Sequence, residues 1–80
     1  MRDRIIALIA QVKNDEALLE SVKGTEHLVN DLAIDSLCLI NLVLLIEAEL
    51  DVEVDFDTFH SRYLNSVDEF ADYVQSLRTA

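Results

Sequence analysis

The sequence predicts an all-α fold: a small four-helix bundle with three main helices and one short one. Three observations carry this. Apolar residues recur at helical spacing in three separate segments, helix-start chemistry stands before two of them, and the 80 residues contain one glycine and no proline. That length allows one domain, residues 1–80, with no internal repeat or low-complexity stretch to divide it.

Ile5, Leu8, Ile9 and Val12 fall at i, i+3, i+4 and i+7, which places a helix over about residues 2–14. Arg2 and Arg4 ahead of Ile5–Ala10 look like the start of a signal peptide. The apolar run is shorter than the usual ~7–15 residues, however, and no small-residue cleavage site follows, so the first helix of a soluble domain is expected. A long polar connection, about residues 15–34, comes next. Leu28 and Leu32 are its expected plugs into the core, and Gly24 its turn point.

Leu39, Leu42, Val43, Ile46 and Leu50 repeat the helical spacing over 36–50. Asp35 is a good N-cap for that helix, with Ile34 and Leu39 placed to staple across it. Acids then occupy every odd position from Glu47 to Asp57, alternating with Leu50, Val52, Val54 and Phe56. Period two suggests a strand, but a lone strand has nothing to pair with here, so a helix end followed by a loop is expected. A short helix over about 57–63 follows, with Phe59 and Tyr63 facing inward. Ser66 to Glu69 reads as a capping box for a last helix over 67–78, whose stripe is Val67, Phe70, Ala71 and Val74.

Composition narrows the function. A formal net charge of −10 repels nucleic acid, anionic membranes and other copies of the chain, so a monomer that meets proteins with basic patches is expected. The apolar stretch Leu37–Ile46 is far short of the ~20 residues that span a bilayer. Cys38 is the single cysteine, so no disulfide framework supports the fold and a cytoplasmic, reducing setting is expected.

Chemistry concentrates in Asp31-Leu32-Ala33-Ile34-Asp35-Ser36-Leu37. An Asp-capped helix start puts Ser36 at the first helical position, its hydroxyl beside unpaired backbone N–H groups. That end carries about +0.5 of an elementary charge and suits a phosphate ester. By itself the dipeptide also fits an ordinary helix start. The run, however, resembles the acyl carrier protein signature: Asp-Ser-Leu heading the second main helix, preceded by an acidic-leucine pair. The likeness covers nearly the whole chain, from an amphipathic first helix through the long loop to the closing helix. It implies that Ser36 is esterified by 4′-phosphopantetheine and that Asp35, besides capping, helps present the serine to a phosphopantetheinyl transferase. It further implies a non-catalytic, stand-alone carrier that holds acyl or aminoacyl groups as thioesters. An adenylating acyl or aminoacyl ligase loads it, and a downstream transferase or synthase unloads it.

Two departures stand out. Ala33 occupies a position where the family often has glycine, and Leu37–Ile46 carries no charge where fatty-acid carriers have several acids. One stripe suffices for the core, so Ile40, Leu44 and Leu45 are apolar beyond that need. Leu37, Ile40 and Leu44 are therefore the expected partner contacts, and a specialised pathway is favoured over housekeeping fatty-acid synthesis.

Other residues offer less. Cys38 in its apolar run reads as a packing residue, and His27 and His60 lack a partner at metal spacing. The acid ladder fails as an EF-hand, because the loop positions that need Gly and Glu hold Phe56 and Arg62. A Ser36 nucleophile has no G-x-S-x-G elbow. The remaining alternative is a helical interaction module without a prosthetic group, docking a partner helix through the apolar surface after Ser36.

Overall fold

The apolar stripes close on one another in the computed structural model, which describes residues 1–55 and 59–78. The elements are α1 (Arg2–Lys13), α2 (Leu18–Ser21), α3 (Ser36–Leu50), a 3₁₀ turn (Ser61–Leu64) and α4 (Val67–Arg78). The described residues contain no strand. The stripe of α1 packs against both α3 and α4. Ile5, Leu8 and Ile9 meet Leu42, Val43, Ile46 and Leu50 in one core with Val67, Phe70, Ala71 and Val74. Val12 and Leu39, expected inside, lie at its edge and are half-buried.

The connection between α1 and α3 is more structured than its polarity suggests. Asn14 ends α1 in the left-handed region, and Asp15 Oδ1 then accepts the Ala17 N–H at 3.1 Å, starting the single turn of α2. Val22, Leu28, Leu32 and Ile34 are all buried, so the segment is pinned at four points rather than the two expected.

Backbone bonds then tie this segment to the start of α4. Leu28 N–H donates to the Leu64 carbonyl, Val67 N–H to Glu26, and Asp68 N–H to Gly24, at 2.9–3.1 Å. Ser66 Oγ accepts the Glu69 N–H at 3.0 Å and the Ser66 carbonyl accepts that of Phe70. The N–H groups of Val67, Asp68 and Glu69, the first three helical positions, are thus all satisfied in α4. Only the forward half of the expected capping box forms among the described residues: Ser66 Oγ accepts the Glu69 N–H, and the Glu69 carboxylate does not reach back to the Ser66 N–H. Gly24 has φ 115°, and a Cβ there would lie 2.7 Å from both Arg2 Nε and Asp68 Oδ1, which pair with each other across it. A side chain there would push this ion pair aside and would be strained by the positive φ, which favours glycine.

Glu26 organises the same corner. Its carboxylate accepts the N–H groups of Lys23 and Gly24 at 2.8–3.1 Å. The Lys23 N–H above all holds the carboxyl below its ordinary pKa; desolvation opposes this, and the N–H groups of Gly24, Glu26 and Thr25 add to it. A carboxyl lowered in the folded state contributes stability that is present above its unfolded pKa and lost as pH falls through the folded one. Glu26→Gln is therefore expected to unfold more easily than the wild type in urea at pH 7. The difference should shrink as pH falls below about 4.3, the ordinary glutamate value. A gap between the two proteins that stays constant down to pH 2 would contradict this assignment.

After α3, which holds Glu47 and Glu49, Asp51 turns left-handed and residues 52–55 run as a loop, as expected; the end of the acid ladder at 56–57 lies outside the described residues. Val54 is buried while Glu53 and Asp55 are exposed. The Glu47 carboxylate folds back to accept the Val54 N–H at 2.9 Å, and Tyr73 Oη donates to the Asp55 carbonyl at 3.4 Å. The short helix expected over 57–63 is a 3₁₀ turn that begins later, at Ser61; residues 56–58 lie outside the described residues. Tyr63 N–H donates to His60 and Asn65 N–H to Arg62, the i→i+3 spacing of a tighter helix. Phe59 and Tyr63 do face inward. Phe59 meets Phe70 and Tyr73 edge-on, and Tyr63 stacks on Tyr73 at 4.5 Å.

Candidate functional site

The site begins one turn before α3. His27 Nδ1 accepts the N–H groups of Val29 and Asn30 at 3.1 and 3.0 Å, which places the ring proton on Nε2. Asp31 Oδ2 accepts the His27 N–H at 2.8 Å, and the His27 carbonyl accepts those of Asp31 and Leu32. His27 is thus half-buried and structural rather than a plain surface residue. The tight turn over residues 28–32 leaves Leu32 buried, Ala33 exposed, Ile34 buried and Asp35 exposed. This alternation aims the chain straight into α3. Ala33 has φ 55°, and its carbonyl accepts a hydrogen bond from Lys13 Nζ at 3.1 Å.

Asp35 caps α3 as expected. Its Oδ1 accepts the Cys38 N–H at 2.8 Å, and its carbonyl accepts that of Leu39 at 2.8 Å. Ile34 and Leu39, on either side of the cap, both join the core. Ser36 follows at the first helical position, exposed, with no hydrogen bond on its hydroxyl among the described residues. The N–H groups of Ser36 and Leu37 likewise have no intrachain acceptor there. This start differs from that of α4, where the loop carbonyls of Glu26 and Gly24 take the N–H groups of Val67 and Asp68, the two equivalent positions. An oxyanion esterified to Ser36 meets free N–H donors and the positive end of a 15-residue helix. The residues present therefore fit a phosphate-linked group.

Beyond Ser36, α3 shows two faces. Leu42, Val43, Ile46 and Leu50 go inward, while Leu37, Ile40 and Leu44 remain 68%, 50% and 58% exposed. These three lie at i, i+3 and i+7, one row running from the serine down the helix. Leu45, also expected to be surplus to the core, is half-buried against it, and so is Cys38. The first acid along the helix, Glu47, is engaged by Val54, so the row carries no free charge. His60 is exposed, beside the Tyr63 ring.

Lys13 and His27 give no sequence signal as parts of this site. Lysine in a last helical turn is ordinary, and the turn that His27 caps follows no motif. No helix among the described residues is long and apolar enough to cross a membrane. Residues 3–74 match the family described as the phosphopantetheine attachment site. That match spans α1, α2, α3, the 3₁₀ turn and most of α4, including the open start of α3. The chain therefore belongs to the phosphopantetheine attachment site family, the acyl and peptidyl carriers that hold 4′-phosphopantetheine covalently on a serine.

Proposed function

We propose that Ser36 is the attachment serine and that the chain carries acyl or aminoacyl groups in a specialised biosynthetic pathway. The observation that supports this best is the contrast between the two helix starts. That of α4 is sealed by loop carbonyls, and that of α3 leaves an exposed hydroxyl beside free N–H groups. Asp35 fixes the first turn of α3 and with it the direction of the hydroxyl. The bound arm supplies a terminal thiol on which cargo is held as a thioester. The chain itself contributes attachment and presentation, and the chemistry of loading and release belongs to its partners.

Those partners are a phosphopantetheinyl transferase, an adenylating acyl or aminoacyl ligase, and a downstream transferase or synthase. The uncharged row Leu37, Ile40 and Leu44 next to Ser36 supports docking by apolar contact, which is why a specialised pathway is favoured over a charge-docked fatty-acid one. The single Cys38 fits a reducing cytoplasm. The same row would also serve a helical interaction module without an arm, and one experiment separates the two readings. The full chain, treated with coenzyme A and a broad-specificity phosphopantetheinyl transferase, is offered to adenylating ligases with a panel of acyl and amino acids. The carrier reading expects cargo bound in a hydroxylamine-labile bond, formed only after arm attachment. A chain that takes no arm, yet binds an amphipathic partner helix through this row, would establish the interaction module instead.

A further inference from the structure

Ala33 holds a left-handed backbone, φ 55°, three residues before Ser36. Residues with a Cβ adopt that region rarely, and they keep it only where the surroundings over-determine it. Two sets of contacts do so here. Leu32 and Ile34 on either side are buried, and the Ile34 N–H donates to the Leu28 carbonyl at 3.1 Å. From outside the segment, Lys13 Nζ in the last turn of α1 donates to the Ala33 carbonyl at 3.1 Å. That carbonyl lies in the peptide plane shared by Ala33 and Ile34, so its tilt sets the direction in which Asp35 and Ser36 leave the turn.

We infer that Lys13 is a positioning residue for modification of Ser36, acting through the Ala33 peptide plane; the inference rests on Ser36 being the attachment serine. In that modification the Ser36 Oγ–P bond forms and the pyrophosphate P–O bond of coenzyme A breaks. The nucleotide leaves with the electron pair, and the serine proton passes to the transferase. In-line displacement demands a defined oxygen direction, and small misplacements of a reacting atom are costly. The Lys13 bond is charge-assisted and directional, and it joins α1 to the strained Ala33 peptide plane, which without it is held on one side only, by the Ile34–Leu28 bond. Arg2 and Arg62 are already engaged, by Asp68 and Tyr63.

The test is steady-state arm transfer from coenzyme A to the full chain, with the chain as varied substrate. Lys13→Met should lower kcat roughly fivefold or more while changing KM by less than about twofold, because docking is untouched and only the serine is misdirected. Lys13→Arg should restore most of the rate. Adding Ala33→Gly to Lys13→Met relieves the backbone strain, so it should recover thermal stability without recovering kcat. Wild-type kcat in Lys13→Met, or recovery of kcat along with stability in the double variant, would overturn the positioning role and leave the Ser36 assignment standing. Arm transfer to Ser36→Ala at the wild-type rate would overturn both.

Discussion

Leu44→Asp is expected to slow loading of the arm-bearing chain by its adenylating ligase at least about tenfold, with the circular dichroism spectrum unchanged. Leu44 is 58% exposed on α3, so a polar side chain there costs the fold little. With Leu37 and Ile40 it forms a row that starts beside Ser36, where a partner's active-site entrance has to sit. Burying one leucine is worth about 1.5–3 kcal/mol, and about 1.4 kcal/mol is a factor of ten in affinity. An aspartate at that place loses the burial and adds a charge to desolvate. Charge-led docking behaves differently, because salt screens it. Loading is therefore expected to fall only slightly between about 0.05 and 0.5 M sodium chloride. Steep salt dependence together with a tolerated Leu44→Asp would show that acids such as Glu49 and Asp51 do the docking instead.

Leu28→Ala is expected to remove about 2–5 kcal/mol of folding stability, the usual cost of truncating a fully buried leucine. For a domain of this size that corresponds to a melting temperature lower by about 10–30 °C. Leu28 is 0% exposed, and its backbone holds the loop at two points, donating to Leu64 and accepting from Ile34. A hole at this position loosens both the seal over α4 and the turn that leads to Ser36. Val29→Ala, one residue away and 43% exposed, should change stability by less than about 0.5 kcal/mol. Equal losses from the two substitutions would mean that the loop is not anchored through Leu28.

The parts of the fold legible in the sequence are those with complete local codes. α3 and α4 begin and end where expected, because each has a cap residue, an apolar stripe and a start signal within a few positions. The 47–55 stretch was legible by elimination, since its period-two pattern had no partner strand. α2 left no trace, because one turn is too short for periodicity to register. The 3₁₀ turn was placed too early because its anchors, Phe59 and Tyr63, are held by ring contacts with α4 rather than by a helical period.

Within the site, Asp35 and Ser36 were readable from the dipeptide and its surroundings, and the exposed row from the surplus of apolar residues on α3. Long-range pairing was not. Nothing in Lys13 signals a bond to a carbonyl 20 residues on. An alanine at position 33 gives no hint of positive φ, and the sequence gives His27 no role until its ring nitrogen is seen to accept two backbone bonds. The contrast between a sealed and an open helix start, which best supports the functional reading, also depends on residues 24–28 meeting 64–68.

The most direct measurement is to find where the arm attaches. The full chain is converted with coenzyme A and a phosphopantetheinyl transferase, weighed intact, then digested and fragmented to locate the added mass. One arm per chain is expected, on Ser36, with none on Ser36→Ala even though that variant keeps its helicity. An arm on Ser21, Ser61, Ser66 or Ser76, or undiminished addition to Ser36→Ala, would contradict the account.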